Sequence, residues 1–194
     1  MKNLCAHADT LNSICVEQCC ISLEDFSQIV DTVAKVIKAV EMSSECSLDI
    51  RVYNRLLMLK NLAINTLGKV ISLINTIKRC KLNQNTDVII NTLCNLANGI
   101  VEIRNIIKEI LDESSTITCY TIKTNFENLV RFINYIGLKT FILMLILLNN
   151  FDYIPATLSG KIASSFASLL FASLLSIHDV RVKEALKECA YVIK

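Results

Sequence analysis

The chain has 194 residues, of which 53% are hydrophobic, with only four glycines and one proline. Sheets and their turns need Gly and Pro for tight reversals, so this composition excludes a mainly β fold and predicts helices. The formal net charge of +2 argues against bulk binding to nucleic acid, and we expect no nucleic-acid partner.

The first half of the chain predicts amphipathic helices. Ser22, followed three residues later by Asp25, is an N-cap pair that begins a helix to about residue 43. Ser47 is the predicted cap of a second helix over 48–80. The apolar side of this second helix is predicted from helical spacing to contain Leu56, Leu59, Ile64, Leu67, Val70, Ile71, Ile74 and Ile77.

A polar run over 81–87 separates the second helix from a third, predicted from Thr86 to about Asp112. A helix of about 30 residues is roughly 45 Å long. Because the connection is short and polar, we expect these two helices to form an antiparallel hairpin.

Charge is distributed unevenly along the helices. Residues 51–81 hold seven Lys or Arg and no Asp or Glu, whereas residues 1–50 hold eight acids and three bases. At 100° per residue the bases scatter round the second helix. This favours a solvated helix that pairs with acidic neighbours over a stripe that follows nucleic-acid phosphates.

The last third of the chain is more apolar. Residues 114–121 predict an irregular connector, and Thr124 with Glu127 predicts a capping box that starts a helix to about Asn149. Residues 141–148 are apolar on every side, and residues 162–177 carry no charge. We expect 138–177 to form a buried apolar hairpin, because both arms are short or polar for a membrane span.

Asp179 is the predicted cap of a last amphipathic helix, with Ala185, Leu186 and Ala190 facing inward. The sequence therefore predicts an all-α fold: a single-domain helical bundle over 1–194 with about six to eight helices, long antiparallel helices and a buried apolar hairpin at 138–177.

The nine cysteines are irregularly spaced, and the first ten residues contain no apolar run typical of a secretory signal. We expect a cytoplasmic protein with buried free thiols. Residues 3–20 have a weak helical pattern, which would place Cys15 and Cys19 on one face near Cys5 and His7. No CxxC pair occurs, so we predict no metal site.

The sequence offers no catalytic motif. Only His7 and His178 are available as imidazole bases, and no phosphate-binding glycine loop or nucleophile elbow is present. We therefore predict that the protein is not an enzyme and binds no cofactor.

The third helix carries four apolar anchors and a small residue in a spacing that resembles the BH3 pattern of the Bcl-2 family; the residues singled out as partner-binding are Ile89, Leu93, Leu96, Asn98 and Ile100. Asn98 stands where the family has Asp. Residues 134–137, NYIG, are similar to the family's Asn-Trp-Gly-Arg motif but lack its Trp and Arg. The resemblance covers residues 89–100 and 134–137 and would imply a Bcl-2-like apoptosis regulator.

We expect a non-enzymatic intracellular protein that acts by protein–protein interaction through a helix or a groove. The richness in Ile, Asn and Lys suggests a viral or parasite protein that modulates its host. The alternative is a membrane-active or lipid-binding bundle whose 138–177 hairpin contacts bilayer or an apolar ligand. The sequence identifies neither the partner nor the oligomeric state.

Overall fold

A computed structural model describes residues 12–16, 19–42, 49–78, 86–113, 120–149, 151, 154–174 and 178–189. Within these residues the fold is a single body of six α-helices with a small amino-terminal hairpin, so the predicted all-α bundle is confirmed. In chain order the elements are β1 Ser13–Val16, β2 Cys19–Ser22, α1 Leu23–Met42, α2 Ile50–Lys78, α3 Thr86–Glu113, α4 Tyr120–Asn149, a 3-10 turn Ala156–Leu158, α5 Ser159–Leu174 and α6 Val180–Cys189.

The amino-terminal hairpin corrects the weak helix predicted over 3–20. Strands β1 and β2 pair antiparallel, with Cys15 directly opposite Cys20. Those two residues would lie about 140° apart round a helix, whereas the strand register brings them together in a disulfide. The β-branched Ile14 and Ile21 face each other one step along the ladder and are buried.

Helix α1 begins where the sequence predicts. The Asp25 amide donates to the Ser22 hydroxyl at 3.1 Å, and the Ser22 amide donates to the Asp25 carboxylate at 2.9 Å, which is a reciprocal capping box. Helix α2 is different. The Arg51 amide donates to the Asp49 carboxylate at 2.8 Å, so Asp49 is the cap, and the predicted cap Ser47 lies outside the described residues.

Helices α3 and α4 form the centre of the bundle. Helix α3 packs against α2, α4 and α5, and α4 also packs against α1, α6 and the hairpin. Every residue of α4 from Ile136 to Thr140 is buried. Within 141–148, which are predicted to be buried on every side, Leu145 is 39% exposed and Phe141, Ile146 and Leu148 are half-buried, so the predicted enclosure holds only in part. Helix α4 begins at Tyr120, ahead of the predicted start at Thr124, so the carboxyl end of the predicted connector is helical.

The second arm of the predicted apolar hairpin is only half enclosed. Helix α5 contacts α3 and α4 through Ser165, Leu169 and Ala172, which are buried. Leu170 and Phe171 are 39% and 66% exposed, so this uncharged helix lies at the surface with one face in contact. A chain segment without charge still exposes the face for which the bundle provides no neighbour.

Helix α6 is capped by Asp179, whose carboxylate accepts from the Arg181 amide at 2.8 Å, as predicted. Ala185 faces the core as expected, whereas Leu186 is 37% exposed, so its predicted inward position is wrong. Ala190 lies outside the described residues. The inward positions are Val182, Ala185 and Cys189.

Two helical glycines allow a matched test of the α2–α3 contact. A Cβ on Gly99 would lie 2.7 Å from the Thr66 hydroxyl oxygen, whereas a Cβ on Gly68 would meet no heavy atom within 4 Å. Thr66 is fully buried and its hydroxyl donates to the Leu62 carbonyl at 2.8 Å, so it has little room to move.

We expect Gly99→Ala to lower the free energy of unfolding by about 1–3 kcal/mol, because overpacking outweighs the better helix propensity of alanine. Gly68→Ala should raise it by up to about 1 kcal/mol. Urea unfolding of both variants checks this. Equal shifts in the two variants would contradict the packing assigned to α2 and α3.

Candidate functional site

Helix α2 carries the largest share of the exposed apolar side chains among the described residues. Five of the twelve exposed large hydrophobic residues lie on it, and no other helix carries more than two. Met58 is 60% exposed, Ile64 46% and Ile71 42%. Exposed apolar side chains scattered singly are ordinary, so their concentration on α2 makes its exposed side the candidate site.

Four of the five, Ile50, Leu57, Ile64 and Ile71, follow one side of the helix, which we call the outer face of α2, whereas Met58 lies about 100° round the helix from Leu57. Its apolar positions repeat every seven residues, and uncharged positions occur four residues after each of them. All are exposed: Ile50, Asn54, Leu57, Asn61, Ile64, Gly68, Ile71 and Asn75. A spacing of alternately four and three residues keeps side chains on the side of a helix that faces a second helix.

The sequence analysis does not predict the outer face, and it places two of its residues on the wrong side of α2. Ile64 and Ile71 are predicted to lie on the buried side of α2, and the structure exposes both. The inner face is rotated round the helix from them and consists of Val52, Leu56, Leu59, Ala63, Thr66, Val70, Leu73, Ile74 and Ile77. Because apolar residues occur on both sides of this helix, spacing alone could not fix which side faces the core.

Basic residues border the outer face on both edges. Lys60 lies on one edge, and Arg51 and Lys69 lie on the other, as their positions at 100° per residue require. The Arg51 guanidinium binds Asp49 at 2.8 Å, which lowers the pKa of that carboxyl and raises the pKa of Arg51. The Lys69 ammonium donates to the Asn95 carbonyl at 3.2 Å.

The amino-terminal end of α2 is anchored to both α3 and α1. The Arg55 guanidinium lies 2.6 Å from a Glu113 oxygen and 3.9 Å from a Glu109 oxygen. This confirms the prediction that bases of the second helix pair with acidic neighbours: Arg51 pairs with Asp49 just ahead of the helix, and Arg55 pairs with acids of α3. Tyr53 donates to the Glu41 carboxylate at 2.7 Å, and this hydrogen bond raises the pKa of the Tyr53 phenol. These contacts hold the outer face in one orientation.

The BH3-like residues of α3 occupy a different environment. Ile89, Leu93, Leu96 and Ile100 are at most 3% exposed and belong to the core. Asn98 is exposed, and its side-chain oxygen accepts from the Ser165 hydroxyl at 3.2 Å. In this closed conformation the four apolar anchors contact the bundle itself, so engaging a partner through them would require α3 to leave its neighbours.

The NYIG segment lies opposite that helix. Asn134 is buried and its side-chain oxygen accepts from Nε of the buried Arg104 at 2.8 Å. Burial lowers the pKa of Arg104 because a low-polarity environment disfavours its charge. This pair joins α3 to α4 inside the core and needs no ligand to explain it.

A second polar cluster, which is only partly buried, joins α4 to α6. The Lys139 ammonium is almost fully buried and lies 2.6 Å from both the Tyr135 hydroxyl and a Glu188 oxygen. Burial alone would lower the pKa of Lys139, but hydrogen bonds to Glu188 and Tyr135 outweigh it and raise that pKa. Burial raises the pKa of Tyr135, and the adjacent Lys139 partly offsets it.

Stability should therefore fall at alkaline pH through this cluster. A raised folded-state pKa contributes stability below the unfolded value, about 10.4 for lysine, and that contribution is lost as pH rises through the folded value. We expect the wild type to lose more free energy of unfolding than Lys139→Met between pH 10 and pH 11.5, measured by denaturant titration. Parallel pH dependences would contradict this assignment.

The cysteines overturn part of the free-thiol prediction. Cys15 pairs with Cys20, and Cys19 pairs with Cys189, which ties β2 to the end of α6. Cys94 is a free buried thiol as predicted, and burial raises its pKa. Disulfides are more usual in an oxidising compartment. The other four cysteines, at positions 5, 46, 80 and 119, lie outside the described residues.

No group of three His, Cys, Asp or Glu residues in the described part of the chain could hold a metal ion. Cys5 and His7, which the sequence places near Cys15 and Cys19, lie outside the described residues.

Two adjoining clefts of about 460 and 290 Å³ open beside the start of α6. They share Arg181 and Glu184, and His178 lines the larger one together with Arg131 and Asp179. Arg131, Arg181 and the acids Asp25, Asp179 and Glu184 line the two clefts, and Asp179 already binds Arg131 at 3.7 Å.

Two helices are long and apolar enough to span a membrane by length and composition. They are 50–77, with a mean hydropathy of 1.3, and 123–149, with a mean hydropathy of 1.7. The apolar window of 123–149 is 61% buried inside the bundle, whereas that of 50–77 is 33% buried. Core helices of soluble proteins satisfy the same criterion, so these helices are weak evidence for a membrane role.

Comparison with known protein families, curated proteins and solved structures finds no significant match.

Proposed function

We propose that this chain is a non-enzymatic helical-bundle protein that acts by binding another protein through the outer face of α2. The observation that carries the proposal is the line of Ile50, Leu57, Ile64 and Ile71, which are exposed at seven-residue intervals. Leaving such side chains in water forgoes about 25 cal/mol for each Å² that a partner would cover. The anchored inner face of α2 presents this line ready-formed, which lowers the entropic cost of binding.

Affinity capture with matched variants tests this function. We expect Ile64→Glu to reduce at least tenfold the recovery of the protein that the wild-type chain captures, because the substitution would bury a carboxylate in the interface. Phe171→Glu is the control, since Phe171 is 66% exposed on α5 and lies outside the outer face. Equal loss of the partner in both variants, or no loss in either, would contradict binding through α2.

A membrane-active or lipid-binding role is the second candidate. The observation in its favour is the length and hydropathy of 50–77 and 123–149, and the 138–177 hairpin would be its contact region. Flotation with vesicles of phosphatidylserine and phosphatidylcholine tests it. Co-migration of the chain with the vesicles would favour this role over the first.

The remaining sequence predictions stay proposals of the same kind. They are a cytoplasmic location, a host-modulating role and the Bcl-2-like alternative. The two disulfides favour an oxidising compartment over a reducing one, although they do not decide between them. The Bcl-2-like alternative requires exposure of a helix whose anchors are buried here. If the backbone amides of α3 are protected from hydrogen exchange, and adding the partner does not change that protection, the result would argue against the Bcl-2-like alternative.

A further inference from the structure

We propose that the partner docks an amphipathic helix on the outer face of α2, and that Asp and Glu side chains border the apolar edge of that helix. This inference rests on the proposed function and adds the chemistry of the partner. It is carried by three properties of the outer face: its spacing, the open space at Gly68 and the sign of its charged edges.

The spacing fits a helix better than a loop or a strand. Apolar side chains at Ile50, Leu57, Ile64 and Ile71 alternate with Asn54, Asn61, Gly68 and Asn75. This is the four-and-three alternation of a seam between two helices, in which each side chain enters a gap on the other helix. From Ile50 to Ile71 the seam spans roughly 32 Å, so a partner helix of about 22 residues covers it.

Gly68 provides the point of closest approach. A Cβ there would meet no heavy atom within 4 Å, so the surface is open between Ile64 and Ile71. A large apolar side chain of the partner can enter this opening. Asn61 and Asn75 lie on either side along the same line, and their amides can donate to and accept from polar groups of a helix that lies alongside.

The basic residues that border the outer face favour a partner with negative charge. Helix α2, Ile50–Lys78, contains five bases and no acid. Arg51 and Arg55 are neutralised by ion pairs within the chain, whereas Lys60 makes no ion pair with any residue that the structure describes. Lys69, on the other edge, donates to the neutral Asn95 carbonyl, so each edge keeps one positive charge. A second copy of the chain would bring these like charges together, so complementarity favours a partner with carboxylates at its edges.

A bilayer fits the outer face less well. Three Asn side chains lie in its centre line, and no aromatic residue does. Amide groups lose hydrogen bonds in hydrocarbon, and helices that lie in the membrane interface usually carry Trp or Phe on the apolar side. Across a helix–helix seam the same amides can be paired.

The test uses the full chain and two synthetic helical peptides of 28 residues. Both carry Leu and Asn at the seam positions; one has Glu and the other Lys at the flanking positions. Fluorescence anisotropy at low salt should show the Glu peptide binding at least tenfold more tightly than the Lys peptide, with the difference shrinking at 0.5 M NaCl. Ile64→Glu and Ile71→Glu should each abolish binding of the Glu peptide, while Phe171→Glu should not.

Equal binding of both peptides, no binding of either, or full binding to Ile64→Glu would overturn the proposal. So would α2-dependent self-association in sedimentation, or co-flotation with phosphatidylserine vesicles that Ile64→Glu abolishes. Circular dichroism spectra of the variants establish that they are folded. Capture of a partner in cells that depends on Ile64, together with peptides that show no preference for acid, would leave the proposed function standing and remove only this inference.

Discussion

Replacing Cys19 and Cys189 together by serine is expected to lower the free energy of unfolding by about 2–5 kcal/mol. The disulfide joins residues 170 positions apart and so restricts nearly the whole unfolded chain. It also holds β2 against the end of α6, beside the ion pair that the buried Lys139 forms with the partly exposed Glu188. Guanidinium unfolding without reductant measures the loss.

The second disulfide provides the matched control. Cys15 and Cys20 are only five positions apart, so their bond restricts a much shorter loop, and replacing both by serine should cost about 2 kcal/mol or less. The same number of thiols is removed in each double variant. If both variants lose equal stability, or the Cys19 and Cys189 variant is as stable as wild type, the long-range bond does not stabilise the fold as described.

Phe126→Ala is expected to lower the free energy of unfolding by about 3–5 kcal/mol. Phe126 lies in the first half of α4 and is fully buried, so truncating it leaves a cavity in the core. Phe171→Ala is the control with the same chemical change. Because Phe171 is 66% exposed on α5, its truncation should change stability by at most about 0.5 kcal/mol.

Thermal and denaturant unfolding of the two alanine variants test whether α4 packs into the core and α5 lies at the surface, as the structure has them. A large loss for Phe171→Ala would mean that α5 is enclosed. A small loss for Phe126→Ala would mean that the amino-terminal half of α4 does not pack into the core. Either result would contradict the burial described here for α4 or the exposure described for α5.

Local signals in the sequence predicted where α1, α3 and α6 begin, but not where α2 and α4 begin. Ser22 with Asp25 and the lone Asp179 act as caps in the structure, because a side-chain acceptor next to unpaired amides needs no distant contact. For α2 the sequence predicts Ser47 as the cap, whereas Asp49 is the cap in the structure. Local signals do not distinguish the two, because several neighbouring residues there can serve as caps.

Structural features that depend on residues distant in the sequence were predicted less well. The exposed positions of Ile64 and Ile71 follow from which sides of α2 face α1 and α3, and apolar residues on both sides of the helix leave that undecided. The hairpin at Cys15–Cys20 depends on the contacts of β2 with α4 and α6. The candidate site could therefore not be found from spacing alone, although the seven-residue repeat is visible in the sequence.

Site-specific photocrosslinking tests the central claim most directly. A photoreactive residue at Asn61, in the middle of the outer face, should form a covalent adduct with another protein in cells that express the chain. The same residue at Lys38, exposed on α1, should form little or none. Adducts from Asn61 and not from Lys38 are the predicted result. Adducts from Lys38 alone, or from neither position, would contradict binding through helix α2.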